Sequence, residues 1–155
     1  MIAIVVADQQ RACIYLADAA GKPMKQVAAF INPDARLHEH ELGSARPGRV
    51  VSAAGHMYHS FSGHLDFRHQ ATLQFIRVIN QALLELFDRH QCDAVVLVAD
   101  GRMMGLLRRK LDRAVQSRVA GEISRNWTRR SPRLLQALMK SRSGLFRERS
   151  TARMS

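Results

Sequence analysis

The chain has 155 residues, of which 46% are hydrophobic and only 6% aromatic, enough for one domain with a mainly aliphatic core. No apolar run reaches the roughly 18 residues that a membrane-spanning helix needs, and the apolar segment Met1–Ala7 has no basic region before it, which is not typical of a signal peptide. The net charge is +11, and neither cysteine, Cys13 nor Cys92, has a metal-binding spacing. We therefore predict a cytoplasmic protein with both thiols reduced and placed in the core.

The positive charge is concentrated at one end of the chain. Residues 1–100 hold 9 Lys and Arg against 10 Asp and Glu, whereas residues 101–155 hold 15 against 3. Thirteen of those fifteen are Arg, whose guanidinium can bind a phosphate through two parallel hydrogen bonds. This balance predicts a surface for an anionic partner, RNA above all, and the alternative is a solvated basic face with no partner.

In chain order, the first segments predict an antiparallel meander. Residues 2–7 and 11–16 are compact β-type runs separated by a polar turn at 8–10, and residues 24–31 form a third run after a turn cluster. Residues 32–65 have no sustained period and predict a long loop, and loops of that length are usually functional or disordered. Asp66 is expected to cap a helix that ends near His90, with an apolar stripe from Phe75 to Phe87 at three- and four-residue steps.

The second half predicts an alternation of strands and helices. Residues 93–99 are continuously apolar, which indicates a strand buried on both faces. A basic amphipathic helix over 103–110 follows, with a further turn or two over 112–118 and a short strand at 118–123. Ser131 and Pro132 begin a last helix that runs through Lys140. We expect residues 1–140 to form a single α/β domain and the Ser- and Arg-rich residues 141–155 to form a mobile basic tail.

The predicted order is β-β-β-α-β-α-β-α, which is the order of ribonuclease-H-like folds. In such folds the first and fourth strands are parallel neighbours. We therefore expect a mixed sheet with helices on both faces.

Several blocks of residues are similar to a known family. They are Val6-Ala7-Asp8, residues 32–42, residues 44–49, Val96-Leu97-Val98-Ala99, residues 105–108 and residues 119–123. Over about residues 1–135 the chain resembles the bacterial host-attachment protein family. That family is distantly similar to the middle domain of archaeal and eukaryotic peptide-chain release factors and of the ribosome-rescue factor Pelota, which implies a release-factor-like role in translation.

At three places the sequence differs from the families that it resembles. In release factors the loop before the long helix carries Gly-Gly-Gln, which triggers hydrolysis of peptidyl-tRNA, whereas here that loop has Arg46-Pro47-Gly48-Arg49 and no Gln. Ala99-Asp100-Gly101 stands where family members tend to read Ala-Pro-Pro. Arg125-Asn126-Trp127-Thr128 stands where they tend to read Lys-Asp-Leu-Thr.

The basic residues are the candidate RNA ligands. Arg side chains surround Trp127, the only Trp of the chain, and such a pairing suits an unpaired base and its phosphates. The alternative is that Trp127 packs beneath the last helix. The predicted RNA-binding set is Arg46, Arg49, Arg108, Arg109, Lys110, Arg113, Arg125, Trp127, Arg129, Arg130, Arg133, Arg142, Arg147 and Arg149.

Three other constellations remain open. Asp8 and Asp100 would lie at the same end of two parallel strands, where ribonuclease-H-like nucleases bind two Mg²⁺ ions, but each also suits a turn. His56, His59, His64 and His69 could bind zinc, although polar histidines that contact phosphate are the simpler interpretation. The third is a charged cluster in the predicted loop, formed by Arg36, His38, Glu39 and Glu41. It is either a salt-bridged anchor for that loop or a catalytic Glu–His pair.

Taken together, these patterns predict a non-catalytic RNA-binding factor associated with ribosomes, with no cofactor and no metal. One alternative is a metal-dependent nuclease that uses Asp8 and Asp100. The other is an attachment module whose basic face meets an acidic protein partner or a membrane surface.

Overall fold

The computed structural model describes residues 1–18, 23–35, 56–89 and 91–141. Its strands are β1 (Ile2–Ala7), β2 (Arg11–Ala17), β3 (Lys25–Ile31), β4 (Ala94–Ala99) and β5 (Val119–Ser124). They form one mixed sheet in the order β3-β2-β1-β4-β5. β1 and β3 are antiparallel to β2, whereas β4 is parallel to both β1 and β5. The α/β class and the parallel pairing of the first and fourth strands are therefore confirmed.

In the described part of the chain, the sheet is accompanied by the helices α1 (His56–Asp88), α2 (Gly101–Lys110), α3 (Arg113–Gln116) and α4 (Pro132–Ser141). The turn or two predicted after the second helix is α3, a separate helix of four residues. Among the described residues, no helix is long and apolar enough to cross a membrane.

The two faces of the sheet are covered by different helices. On the face that we call the α1 face, Val5 and Leu97 pack with Ile79 of α1 and Leu107 of α2. On the opposite face, the α4 face, alternate strand residues such as Ile4 and Val96 pack with Leu135 of α4. The prediction of helices on both faces is thus confirmed.

Burial of the central strands explains their continuous apolar sequence. In β4, Val95 and Leu97 belong to the core of the α1 face, whereas Val96 and Val98 belong to that of the α4 face. All four are at most 1% exposed. A strand covered on both sides needs apolar residues at every position, which is why the alternation seen in half-buried strands is missing.

The start of α1 differs from the sequence-based expectation. The helix begins at His56 and has 33 residues, so Asp66 lies inside it and does not cap it, and residues 56–65 of the expected loop are helical. Met57, Phe61 and Leu65 continue a four-residue apolar spacing upstream. The glycines of this region suggested a loop, but a single Gly inside a helix costs only about 1 kcal/mol relative to Ala.

α2 begins at Gly101, two residues earlier than predicted, directly after Asp100. Asp100 is the N-cap residue, and its Oδ1 accepts a hydrogen bond of 2.9 Å from the backbone N–H of Met103. Such a cap satisfies one of the N–H groups that the first turn of a helix leaves without a partner and contributes about 1 kcal/mol.

Both cysteines are free thiols, as expected. Cys92 is 3% exposed and Cys13 is half-buried on the α4 face. Burial raises the pKa of the Cys92 thiol, and the nearby Asp93 carboxylate raises it further. A thiol held in its protonated form is a poor nucleophile, which suits a packing role for Cys92.

Candidate functional site

The sheet separates the predicted basic residues into two clusters. Exposed Arg109, Lys110 and Arg113 lie on α2 and α3, the helices that pack on the α1 face; we call them the helix cluster. The segment between β5 and α4 lies on the opposite face, where Trp127 packs with Leu135. It carries the groove cluster, defined as the exposed residues Arg125, Arg129, Arg130 and Arg133. β5 is an edge strand of the sheet. Its Glu122 contacts Arg108, which precedes the helix cluster in the chain, and its last residue, Ser124, precedes the groove cluster.

Arg108 differs from its neighbours because an acid already binds it. Its Nε donates a hydrogen bond of 2.8 Å to Oε2 of Glu122 on β5, and its Nη2 contacts the same oxygen. The hydrogen bond to Glu122 and the charge of that carboxylate raise the pKa of Arg108. Glu122 therefore competes for the guanidinium that the sequence analysis assigned to phosphate.

An open groove lies beside Trp127. It has a volume of about 460 Å³ and is lined by Arg125, Asn126, Trp127, Arg130 and Leu134. Its walls thus combine two cations, an amide, an indole ring and an aliphatic side chain. Leu134 is 49% exposed and offers an apolar surface at the groove.

Trp127 both packs against the core and lines the groove. The side chain packs against the core of the α4 face, as the packing alternative predicts. It is nevertheless only half-buried, and it also lines the groove. Packing against the core therefore holds the indole ring in place while part of it remains accessible to a ligand.

The segment that carries the groove is held by several hydrogen bonds. The backbone N–H of Arg130 donates to the carbonyl of Trp127 at 3.0 Å, and the N–H of Arg125 donates to the carbonyl of Ile123 at 3.0 Å. The Thr128 hydroxyl donates to Oδ2 of Asp8 and also lies 2.9 Å from Oδ1 of Asn126. These contacts fix the backbone on both sides of the indole.

Asp8 and Asp100 lie at the same end of the paired strands β1 and β4, as predicted. Each follows one member of the paired residues Ala7 and Ala99. Oδ1 of Asp8 accepts the backbone N–H groups of Gln10 at 2.7 Å and Arg11 at 2.8 Å, so Asp8 shapes the turn between β1 and β2. Asp100 caps α2. In the described part of the chain, no group of three or more His, Cys, Asp or Glu side chains could hold a metal ion.

Some predicted residues lie outside the described residues. These are Arg46, Arg49, Arg142, Arg147 and Arg149 of the RNA-binding set, together with Arg36, His38, Glu39 and Glu41 of the charged cluster. His56, His59, His64 and His69 lie on α1 and not in a loop.

Comparison with protein families gives a match over most of the chain. The family described as "Protein required for attachment to host cells" matches residues 3–138. The chain belongs to this family. No curated protein matches it. The cap at Asp100 and the segment from Arg125 to Thr128, which carries the groove, both lie within the matched residues.

Solved structures share the fold of this chain. One is titled "Archaeal protein" and another "Crystal structure of archaeal translation termination factor, aRF1". Each aligns with a TM-score of 0.51 and 14% sequence identity over 97% of this chain. This chain spans 37% and 38% of the length of those two chains, so the likeness concerns one part of each. At such identity the likeness shows a common fold.

Sequence reasoning missed three parts of the site in this family member. Asn126 and Leu134 line the groove, and Thr128 joins it to Asp8. Leu134 had no separate sequence signal, because its four-residue spacing to Leu138 places it on the same apolar stripe as the core residues of α4. The bond between Asp8 and Thr128 has no sequence signal, because 120 positions separate the two residues.

Proposed function

We propose that this chain is a non-catalytic RNA-binding factor that associates with ribosomes. The observation that carries the proposal is the charge of residues 101–141, which hold eleven Lys and Arg but only two acids. Glu122 is bound to Arg108, and Asp112 accepts a hydrogen bond of 3.0 Å from the Asn80 amide. A surface with such an excess of Arg repels itself and is best neutralised by a polyanion.

We propose the ribosome as the partner because of the fold. One of the solved structures with this fold is an archaeal translation termination factor. We infer that the chain docks in a similar manner, with the segment after β3 directed toward ribosomal RNA and residues 101–155 in contact with phosphates. The basic tail and the pair Arg46 and Arg49 would add contacts, and a cytoplasmic location is part of the same proposal.

The proposal is non-catalytic because, among the described residues, we find no group of side chains suited to bond cleavage. The chain has no Gly-Gly-Gln, so it lacks the Gln that release factors present to the peptidyl ester. Asp8 and Asp100 each hold backbone N–H groups. A two-metal centre needs further converging carboxylates beside them.

The family description names attachment to host cells, which is a different role. In that alternative, we expect the basic face to contact an acidic protein or a membrane surface. Sedimentation with ribosomes in a sucrose gradient tests both ideas. We expect the full chain to move with ribosomal particles at low salt and to leave them at high salt. Failure to co-sediment at any salt, together with binding to an acidic protein or to anionic vesicles, would favour attachment.

Matched variants show whether co-sedimentation depends on particular basic residues. The triple variant Arg109→Gln, Lys110→Gln, Arg113→Gln should release the chain from ribosomes. The control Lys25→Gln, Arg77→Gln, Arg89→Gln removes the same charge from exposed positions outside residues 101–155 and should co-sediment as the wild type does. Equal release by both triples would mean that only net charge matters, which contradicts a defined RNA-binding surface.

A further inference from the structure

We propose that the groove beside Trp127 binds one unpaired base of a single-stranded RNA, with Arg125 and Arg130 on the phosphates that flank that base. The inference rests on the proposed function, because it names the form of RNA that the same surface selects.

The lining of the groove matches the parts of a nucleotide. The accessible part of the Trp127 indole offers a flat surface on which a base can stack, and Leu134 offers an apolar contact for the base or its ribose. The Asn126 amide can donate and accept hydrogen bonds at a base edge. Arg125 and Arg130 are both exposed and stand on either side of Trp127 in the chain.

Base pairing should exclude a ligand from this groove. In an RNA duplex the bases stack on one another, and the major groove is too deep and narrow for side chains to enter. An indole can therefore reach a base only where the strand is unpaired. Binding at the groove is thus expected to discriminate between single strands and duplexes.

The helix cluster provides the contrast. α2 and α3 contain no aromatic residue, so Arg109, Lys110 and Arg113 can offer charge but no stacking surface. Contacts to phosphate alone carry no preference for an exposed base. The two clusters should therefore respond differently to the same pair of RNA ligands.

The side chain and backbone at the groove are already held in place without a ligand. The indole packs on the core of the α4 face, and the bond from Thr128 to Asp8 fixes the adjacent backbone to the sheet. A side chain that is already ordered loses little conformational entropy on binding, which favours affinity.

Trp127 supplies its own probe, because it is the only Trp among the 155 residues. The full chain is titrated with an unstructured RNA of about 12 nucleotides and with a blunt duplex of the same sequence. Anisotropy of a label on the RNA reports binding, and tryptophan emission reports the groove. We expect the single strand to quench Trp127 at saturation and the duplex to leave its emission nearly unchanged.

Two variants separate the groove from the rest of the surface. Trp127→Leu keeps an apolar contact with the core and should weaken single-strand binding by about 5- to 100-fold, as the loss of one stacked base does, with duplex binding changed by less than about twofold. Arg109→Gln, Arg113→Gln should weaken both ligands alike and leave the quenching at saturation intact. If Trp127→Leu does not fold, Arg125→Gln, Arg130→Gln serves instead, and it should reduce single-strand affinity more than duplex affinity.

The outcomes distinguish this inference from the function on which it rests. Two results would overturn the base site: equal quenching by strand and duplex, or binding of the labelled single strand without any change in Trp127 emission. Neither result would contradict the proposed RNA-binding surface. Absence of binding to either RNA overturns the proposed function itself, and the base site with it.

Discussion

Thr128 donates its hydroxyl hydrogen to the carboxylate of Asp8, which joins the segment after β5 to the turn between β1 and β2 across 120 positions of the chain. Asp8 is only 8% exposed, and its other oxygen holds two backbone N–H groups of that turn. A buried carboxylate at the end of β1 therefore holds the segment that carries the groove against the sheet.

Replacing Thr128 by Val tests the contribution of its hydrogen bond to Asp8. The change keeps the shape of the side chain but removes the donor, which leaves Oδ2 of Asp8 without its partner. We expect the free energy of unfolding in urea to fall by about 1–3 kcal/mol. Thr128→Ser retains the hydroxyl and is the control. Equal stability of the Val and Ser variants would show that the bond contributes nothing.

Removing the carboxylate that binds Arg108 should strengthen RNA binding. Glu122→Gln deletes the charge beside the guanidinium and lets Arg108 contact phosphate, so we expect affinity at low salt to rise several-fold. Glu85→Gln removes an exposed acid from α1 and serves as the matched control. An identical gain in both variants would assign the effect to net charge and not to Arg108.

RNA affinity should depend steeply on salt. If about 6–8 phosphates are contacted, the association constant for a single strand falls by roughly a thousandfold between 50 and 200 mM salt. Anisotropy titrations at several salt concentrations give the slope directly. A flat response would rule out phosphate contacts as the main source of binding.

Truncation after Ser141 should separate folding from binding. Helix α4 ends at Ser141, and its core contacts, Leu135, Leu138 and Met139, all lie before that point. The melting temperature should therefore hardly change. Loss of Arg142, Arg147, Arg149 and Arg153 should lower RNA affinity and reduce the salt slope by about 3. Unfolding of the truncated chain would contradict the expectation of a tail that packs on nothing.

The chain should show no metal-dependent cleavage of RNA or DNA and no release of peptide from peptidyl-tRNA. The informative comparison sets the wild type against Asp8→Asn, Asp100→Asn, in which Asn preserves the cap of α2. We expect neither protein to cleave in Mg²⁺ or Mn²⁺. Cleavage by the wild type alone, with both proteins folded, would establish the nuclease alternative.

Much of the fold could be predicted because its signals are local. The apolar run of β4 and the turn residues between the first strands depend on near neighbours, and each strand lies within one residue of its predicted bounds. The start of α1 was missed because Gly63 suggested a loop, whereas the helix continues through it. There the cost of one Gly was smaller than the gain from continuing the helix.

The site was less predictable because it depends on contacts between distant parts of the chain. The sequence places Arg108 and Arg109 side by side, but only the fold shows that Glu122 binds the first of them. The two roles of Trp127 could be stated as alternatives. That the indole packs on the core and also lines the groove follows from the position of α4, which no local pattern reveals.

The placement of the helix cluster and the groove cluster on opposite faces of the sheet has a consequence for avidity. A short oligonucleotide can occupy only one cluster, whereas a strand long enough to pass around the β5 edge can engage both at once. The second contact is then intramolecular and benefits from a high effective concentration. Affinity should therefore rise in a step once the RNA is long enough to span that edge, so the sheet itself would set the minimum length of a tightly bound strand.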